Sequence, residues 1–291
     1  MAKKSKNLGY GLNLVSPDER NYKLGSVFGI PLLSDIPKED FLIADPEVSN
    51  QGNTDACTGY SSAMLSGIQE NLPLSPKYQF AQIKKKLNDL NGFGADLGTA
   101  CKSLVDPGSL ELKFELPLAT RDEFANWNNW PSNLDELAKA HRKKTYFELE
   151  AHPDIFDSIR ANLWKFREEK RAILTGALWR PEWTASGGVI PKKYGNSGFG
   201  HAFIFIGQKF INGEPHLVAH LSNGTVIGDK GRFYFSREIV NKECSYGNFM
   251  VQDIDRECAE YMIETGRTVE DVGLVKKLLL VKKVLQFIFK W

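Results

Sequence analysis

The stretch between positions 200 and 236 constrains the fold more than any other part of this 291-residue chain. It contains three short segments rich in β-branched and aromatic residues, AFIFIG, HLVAHL and RFYF, and a turn at Asn212-Gly213 separates the first two. Apolar runs around an Asn-Gly pair predict antiparallel strands joined by a tight hairpin. A further apolar strand is predicted over residues 172–179, so the second half of the chain is expected to be mainly β.

The first half of the chain has helical periodicity instead. From Cys57 to Asn71 small or apolar residues recur at helical spacing, and further helices are predicted over residues 76–90 and 97–104. A helical half followed by a β half indicates an α+β protein of two lobes with a cleft between them. We divide the chain into an N-terminal arm (1–45), a helical lobe (46–145), a β-rich lobe (146–254) and a C-terminal helical extension (255–291).

Charge and cysteine usage argue against several classes of function. Lys and Arg number 37 against 36 Asp and Glu, so general nucleic-acid binding is not indicated. The four cysteines lack the spacing of a zinc site. The basic N-terminus has no apolar stretch behind it, so we expect no signal peptide and a cytoplasmic location.

Two residues are candidates for nucleophilic catalysis. Cys57 lies between a polar turn and the first predicted helix, where a helix N-terminus and a nearby imidazolium would both stabilise a thiolate. His201 opens a strongly apolar strand after a glycine-rich loop, a junction that can present an imidazole rigidly. Taken singly, each residue would more often be a buried, inert side chain. Their sequence context decides between these interpretations.

That context resembles the papain-like cysteine peptidases, especially compact bacterial and phage-type members. Three motifs occur in the family's order: Gln51-Gly52 followed after four residues by Cys57, Gly200-His201-Ala202 followed by an apolar strand to Gly207, and Gly224-Thr225 continuing through Gly228 and Gly231 to Phe233. The resemblance covers roughly residues 15–254. It implies a papain-like two-lobed α+β fold, with a helical left lobe and a β-barrel-like right lobe.

The resemblance also implies a cysteine endopeptidase that works through an acyl-enzyme. Cys57 would attack the scissile carbonyl, and His201 would hold the thiolate as an ion pair and then protonate the leaving amine. Gln51 and the backbone N–H of Cys57 would form the oxyanion hole. The expected partner is a peptide or protein substrate, and no metal or organic cofactor is required.

The resemblance also implies roles for residues of the substrate cleft. Gly92 and Gly94 lie where the family uses glycine to let a substrate backbone approach closely. Ala202 corresponds to a position that lines the pocket for the substrate's second side chain. Thr54 occupies the place of a cysteine that, in the family, forms a disulfide beside the nucleophile.

One motif departs from the family pattern. The asparagine of Asn-Ser-Trp-Gly-Thr orients the family's histidine, but here the string is Leu221-Ser222-Asn223-Gly224-Thr225. Leucine cannot accept a hydrogen bond from the imidazole. Either a local shift brings in Asn223, or Ser222 or a backbone carbonyl serves, or the triad is impaired. The rival hypotheses are therefore a pseudoenzyme that acts as a binding or structural module in a larger assembly, for example a virion, and an acyl transferase or deamidase.

The C-terminal segment, residues 272–291, is amphipathic. Its apolar side chains share one arc of a helical wheel and its lysines interrupt the apolar runs, so a simple transmembrane span is not predicted. Docking on the protein's own core or on a neighbouring subunit, binding to a membrane surface, and binding in a partner's groove all fit this pattern.

Overall fold

The computed structural model describes residues 9–266, 268 and 269. Its helices are α1 (Leu24–Phe28), α2 (Cys57–Glu70), α3 (Pro76–Leu87), α4 (Leu97–Val105), α5 (Arg121–Ala125), α6 (Ser132–Ala138), α7 (Ile155–Lys165), α8 (Pro181–Thr184), α9 (Arg237–Glu243) and α10 (Arg256–Thr265). Its strands are β1 (Phe41–Leu42), β2 (Thr145–Glu148), β3 (Ile173–Trp179), β4 (Phe199–Ile211), β5 (Glu214–His220), β6 (Arg232–Ser236) and β7 (Phe249–Gln252).

The helical part of the chain follows the sequence closely. α2 ends where Asn71 adopts a left-handed conformation, and α3 begins after Ser75, whose hydroxyl accepts the backbone N–H of Tyr78. The predicted helix over 76–90 is three residues too long, because Asn88 is again left-handed and ends α3 at Leu87. These two helices pack closely, since a Cβ on Gly59 would lie 2.6 Å from the Cβ of Phe80.

Within the described part of the chain, the strands form one antiparallel sheet of seven strands in the order β2-β7-β3-β4-β5-β6, with β1 paired to β4. β4 and β5 are joined through Asn212-Gly213, whose φ angles of 52° and 82° are those of a tight hairpin turn. The predicted hairpin is therefore confirmed. The strand predicted over residues 172–179 is also confirmed as β3, which begins one residue later.

The sheet and α2, which begins at Cys57, share one hydrophobic core. α2 packs against β3 and β4, and Cys57 belongs to the same cluster of buried side chains as Phe203 and Phe205. A second cluster, around Phe80 and Trp130, lies among α3, α5 and the loops beside them. The α+β class predicted from the sequence is thus observed.

Both ends of the described chain lie on this body. β1 of the arm extends the sheet, and α10 contacts α1. None of the helices in the described part of the chain has the length and hydrophobicity needed to cross a bilayer. The amphipathic segment over residues 272–291 lies outside the described residues.

Candidate active site

Cys57 is the first residue of α2, and its thiol faces the strand that carries His201. The Sγ atom accepts the backbone N–H of Ala202 at 3.4 Å, across the junction between the helix and β4. The residue has no solvent-exposed surface. The structure therefore brings the two predicted motifs together, but it seals the thiol from solvent.

The N-terminal arm closes the site. Residues 9–13 run through the cleft, where Leu12 forms a β-bridge with Ala95, and they are bonded to both walls. On the β side, the N–H groups of Gly11 and Leu12 donate to the carbonyl of Gly200 at 3.1 and 2.9 Å. On the helical side, Ala95 donates to the carbonyl of Gly11 at 2.8 Å and accepts from Asn13 at 2.9 Å.

Glycines allow this close crossing of main chains. A Cβ on Gly11 would lie 1.8 Å from the carbonyl oxygen of Asp55, and one on Gly94 would lie 1.9 Å from the carbonyl oxygen of Gly11. A Cβ on Gly200 would similarly meet the carbonyl oxygen of Leu12 at 1.9 Å. Each distance is far below van der Waals contact, so any side chain at one of these three positions would prevent the main chains from approaching this closely.

Leu12 anchors the arm in the β-rich wall. Its side chain is 4% exposed, and its Cδ2 atom lies 2.1 Å from the place that a Cβ on Gly176 would occupy. Gly176 pairs with Ala202 in the β3–β4 ladder. The leucine thus fills an apolar depression beside the candidate nucleophile.

Burial controls the protonation of the thiol. Loss of solvation raises the pKa of Cys57 to about 12, and the charge of Asp55 also raises it, while the backbones of Ala202, Gly11 and Thr58 lower it. The effect of solvation is the largest. In this closed arrangement the thiol is protonated at neutral pH and is not a nucleophile.

His201 is neutral in the same arrangement. The imidazole is fully buried, and loss of solvation lowers its pKa to about 4, partly offset by the side chain of Asn223. Aromatic rings surround it edge-on, with ring centroids 5.6 Å away for Tyr10 of the arm and 5.5 Å away for Trp179. The expected thiolate–imidazolium pair is therefore replaced by a neutral thiol and a neutral imidazole while the arm is in place.

Leu221 and Asn223 take different positions relative to His201. Leu221 is buried in the core, whereas Asn223, two residues later, approaches the imidazole and raises its pKa. Neither ring nitrogen of His201 has a regular hydrogen bond within the described part of the chain, so the contact is loose. The amide nitrogen of Asn223 points to the carbonyl of Gly9 at 3.5 Å, which leaves its oxygen available to the histidine.

Gln51 is tied to the same loop. Its amide oxygen accepts the hydroxyl of Ser222 at 2.5 Å, and its amide nitrogen donates to the carbonyl of Thr54 at 2.8 Å. Its backbone N–H bonds the carbonyl of Ser222 at 2.8 Å. Ser222 thus orients Gln51 rather than the imidazole, and the side-chain donor expected in an oxyanion hole is directed at Thr54.

The predicted substrate-contacting residues divide into two groups. Gly94 borders the arm at Gly11, and Ala202 borders the thiol of Cys57. Gly92 belongs to a local turn instead, because a Cβ there would meet the carboxylate of Asp89 at 1.7 Å and its backbone N–H donates to the same carboxylate at 2.7 Å. No group of three or more possible metal ligands occurs among the described residues.

Several side chains that contact the candidate pair have no signal in the sequence. Tyr10 stacks on Phe199 at 5.2 Å and packs on His201, but a tyrosine in a glycine-rich arm carries no motif. Trp179 packs on His201 from two residues beyond Ala177, the residue that pairs with His201 in the β3–β4 ladder, and only this register brings the two rings together. The glycines at positions 9 and 11 were a usable clue, since alternate glycines permit a close main-chain crossing.

Comparison with known proteins identifies the fold. No protein-family model and no curated protein matches the chain. Among solved structures, the chain is similar to xylellain, a cysteine protease from Xylella fastidiosa, with 18% identity, a TM-score of 0.67, and coverage of 87% of this chain and 99% of that one. It is also similar to digestive procathepsin L 3 from the larval midgut of Tenebrio molitor, with 14% identity, a TM-score of 0.60, and coverage of 85% and 77%.

A third similar structure is procathepsin B S9 from Trypanosoma congolense, with 14% identity, a TM-score of 0.57, and coverage of 86% of this chain and 88% of that one. These matches extend over most of the chain. Together they confirm the papain-like fold predicted from the motifs.

Proposed function

We propose that this chain, which has a papain-like fold, is a cysteine endopeptidase held in a closed state by its own N-terminal arm. One observation carries the proposal: residues 9–13 cross the candidate nucleophile and are bonded through their main chain to both walls of the cleft, with a β-bridge between Leu12 and Ala95. A cleft that pairs with a peptide backbone in this way fits a peptide or protein substrate.

The chemistry follows from opening the cleft. When residues 9–13 leave, water reaches the thiol, the pKa of Cys57 falls and that of His201 rises, because burial is the main cause of both shifts. The N-terminus of α2 and the backbone N–H of Ala202 then favour the thiolate. The imidazole takes the thiol proton and later gives it to the leaving amine, after which water hydrolyses the acyl-enzyme.

Gln51 and Asn223 have supporting roles in this proposal. The amide of Gln51 would turn from Thr54 to the developing oxyanion, beside the backbone N–H of Cys57. The amide oxygen of Asn223 would accept the far N–H of the imidazole and replace the asparagine absent at Leu221. Ala202 and Gly94 would border the substrate backbone.

The test is covalent labelling with a thiol-directed peptidyl epoxide. A Gly11→Ala variant, in which the new methyl group displaces the arm, should label stoichiometrically on the Cys57 peptide. Cys57→Ala in the same background should abolish labelling, and His201→Ala should slow it by a factor of about 100 or more. An opened cleft that does not label at any pH between 5 and 8 would contradict the proposal.

A binding module without catalysis is the second candidate. The sealed, protonated thiol and the loose contact to His201 favour it, because both are present in the described structure. It predicts a Gly11→Ala variant that binds extended peptides in the cleft but neither labels nor cleaves them. Use of the same thiol for acyl transfer or deamidation would appear as labelling without peptide-bond cleavage.

A further inference from the structure

A buried charge cluster lies behind the helical wall of the cleft. Arg121 forms a two-pronged ion pair with Asp55, with Nε at 2.9 Å from one carboxylate oxygen and Nη2 at 3.1 Å from the other. The same guanidinium donates to the backbone carbonyls of Leu90 and Gly92, both at 2.7 Å. One side chain therefore holds the cleft wall and a carboxylate at once.

Asp55 connects this cluster to the nucleophile. It lies two residues before Cys57, its side chain is 7% exposed, and its second oxygen accepts the backbone N–H of Gly94 at 2.6 Å. The turn that carries the nucleophile is thus bonded directly to the wall that contacts the arm. All four cysteines are free, so no disulfide makes this connection.

Lys84 completes the cluster from α3. Its side chain is fully buried, and its ammonium donates to the carbonyls of Gly92 and Gly94 at 2.8 and 3.2 Å. The cations of Lys84 and Arg121 lie 5.9 and 5.8 Å from the ring centroid of the buried Phe80. Burying a lysine is unfavourable unless its charge is compensated. The carbonyls of Gly92 and Gly94 provide that compensation, so the buried ammonium holds both carbonyls in place.

The cluster decides which backbone groups face the cleft. The carbonyls of Leu90, Gly92 and Gly94 point back to the two cations. The N–H and C=O groups of Ala95 are left for the cleft, where they bond Gly11 at 2.8 Å and Asn13 at 2.9 Å. The wall is therefore presented as a short strand edge ready to pair with an extended peptide.

We infer that Asp55, Lys84 and Arg121 are positioning residues that fix the peptide-binding edge at Ala95 relative to the nucleophile turn. They take the place of the disulfide that the family forms beside its nucleophile and that Thr54 rules out in this chain. The inference rests on the proposed function for its consequence on substrate, but the positioning itself is independent of catalysis.

The first test uses hydrogen exchange on the full chain and needs no activity. In Arg121→Ala, the amides of Ala95 and Asn13 should exchange at least tenfold faster than in the wild type, while those of β3 and β4 keep their protection. Arg237→Ala is the matched control, because Arg237 also pairs with a buried aspartate, Asp157 at 2.7 Å, but away from the cleft. It should leave exchange at Ala95 unchanged.

The second test separates substrate binding from chemistry. In a Gly11→Ala background, Arg121→Ala should raise KM for a peptide substrate about tenfold or more and change kcat by less than threefold. Arg121→Lys retains the charge but loses the fork, and should give a smaller increase. If Arg121→Ala does not fold, Asp55→Asn, which keeps the shape and removes the ion pair, is measured in its place.

The outcomes are distinct. Faster exchange at Ala95 supports the positioning role even if Gly11→Ala shows no peptidase activity, a result that would overturn only the proposed function. Unchanged exchange at Ala95 and Asn13 in a folded Arg121→Ala or Asp55→Asn protein overturns the positioning role. A fall in kcat at unchanged KM would also overturn it.

Discussion

Replacing Gly11 by alanine should open the cleft, because the added methyl group has no room while the arm is bound. Its ideal position is 1.8 Å from the carbonyl oxygen of Asp55 and 2.4 Å from the carbonyl carbon. Both are backbone atoms at the start of the nucleophile turn, and they cannot rotate away as a side chain would. The arm must therefore move by more than about 1 Å to reach van der Waals contact.

The energetic effect can be worked from the bonds that this movement breaks. Four main-chain hydrogen bonds join residues 11–13 to Gly200 and Ala95. At a net value of about 1 kcal/mol each, losing two of them weakens the closed state by about 2 kcal/mol and losing all four by about 4 kcal/mol. These figures correspond to roughly a 30-fold and a 1,000-fold increase in the open population.

The assay is the rate of alkylation of Cys57 at fixed pH, followed by mass spectrometry of its peptide because the partly exposed Cys258 also reacts. We expect Gly11→Ala to react between about 30 and 1,000 times faster than the wild type. Gly25→Ala is the matched control, because the nearest atoms to its methyl group would belong to side chains outside the cleft, the carboxylate of Glu150 at 3.0 Å and Cγ1 of Ile30 at 3.1 Å. A folded Gly11→Ala protein that reacts within twofold of the wild-type rate would refute the closed-cleft interpretation.

The remaining predictions concern the residues around the thiol. His220 is buried, and desolvation is the main cause that lowers its pKa to about 4. Between pH 6.5 and 4 the unfolded chain therefore binds a proton that the folded protein does not, and stability falls as the pH falls. In His220→Gln, the decrease in the free energy of urea unfolding from pH 7 to pH 5 should be smaller than in the wild type by about 1 to 2 kcal/mol. Asn223→Ala, in the Gly11→Ala background, should lower kcat on the order of 10-fold to 100-fold, measured by peptide hydrolysis. Leu221→Asn should not increase peptidase activity, and it should lower the free energy of unfolding in urea by about 1 to 3 kcal/mol, because it buries an unpaired amide. Gln51→Ala should lower kcat about 100-fold at similar KM, and an unchanged kcat would exclude it from an oxyanion hole.

Much of the fold could be predicted because local signals and global structure agree. The Asn212-Gly213 turn, the left-handed Asn71 and the Ser75-Pro76 start of α3 are local devices whose effect depends on few distant residues. The helix at Cys57 and the strand at His201 were likewise visible as periodicity and as motifs. The candidate pair could therefore be named before the structure.

The rest depends on contacts distant in sequence. Asp55 and Arg121 are separated by 66 positions, and no pattern in either segment predicts that they pair. Asn223 reaches the imidazole because the chain turns after β5 ends at His220, a geometry that strict motif register did not capture. Residues 9–13 bond to Ala95 on one side of the cleft and to Gly200 on the other, and the sequence does not show that these distant residues lie on either side of the arm.

A peptidase beneath the arm should become active when the arm is displaced. Gly11→Ala and the double variant Gly11→Ala with Cys57→Ala are incubated with a diverse peptide library, and new termini are identified by mass spectrometry. We expect internal peptide-bond cleavage by the first protein and none by the second. A Gly11→Ala protein whose thiol alkylates rapidly but which cleaves no peptide, or cleavage that survives Cys57→Ala, would contradict it.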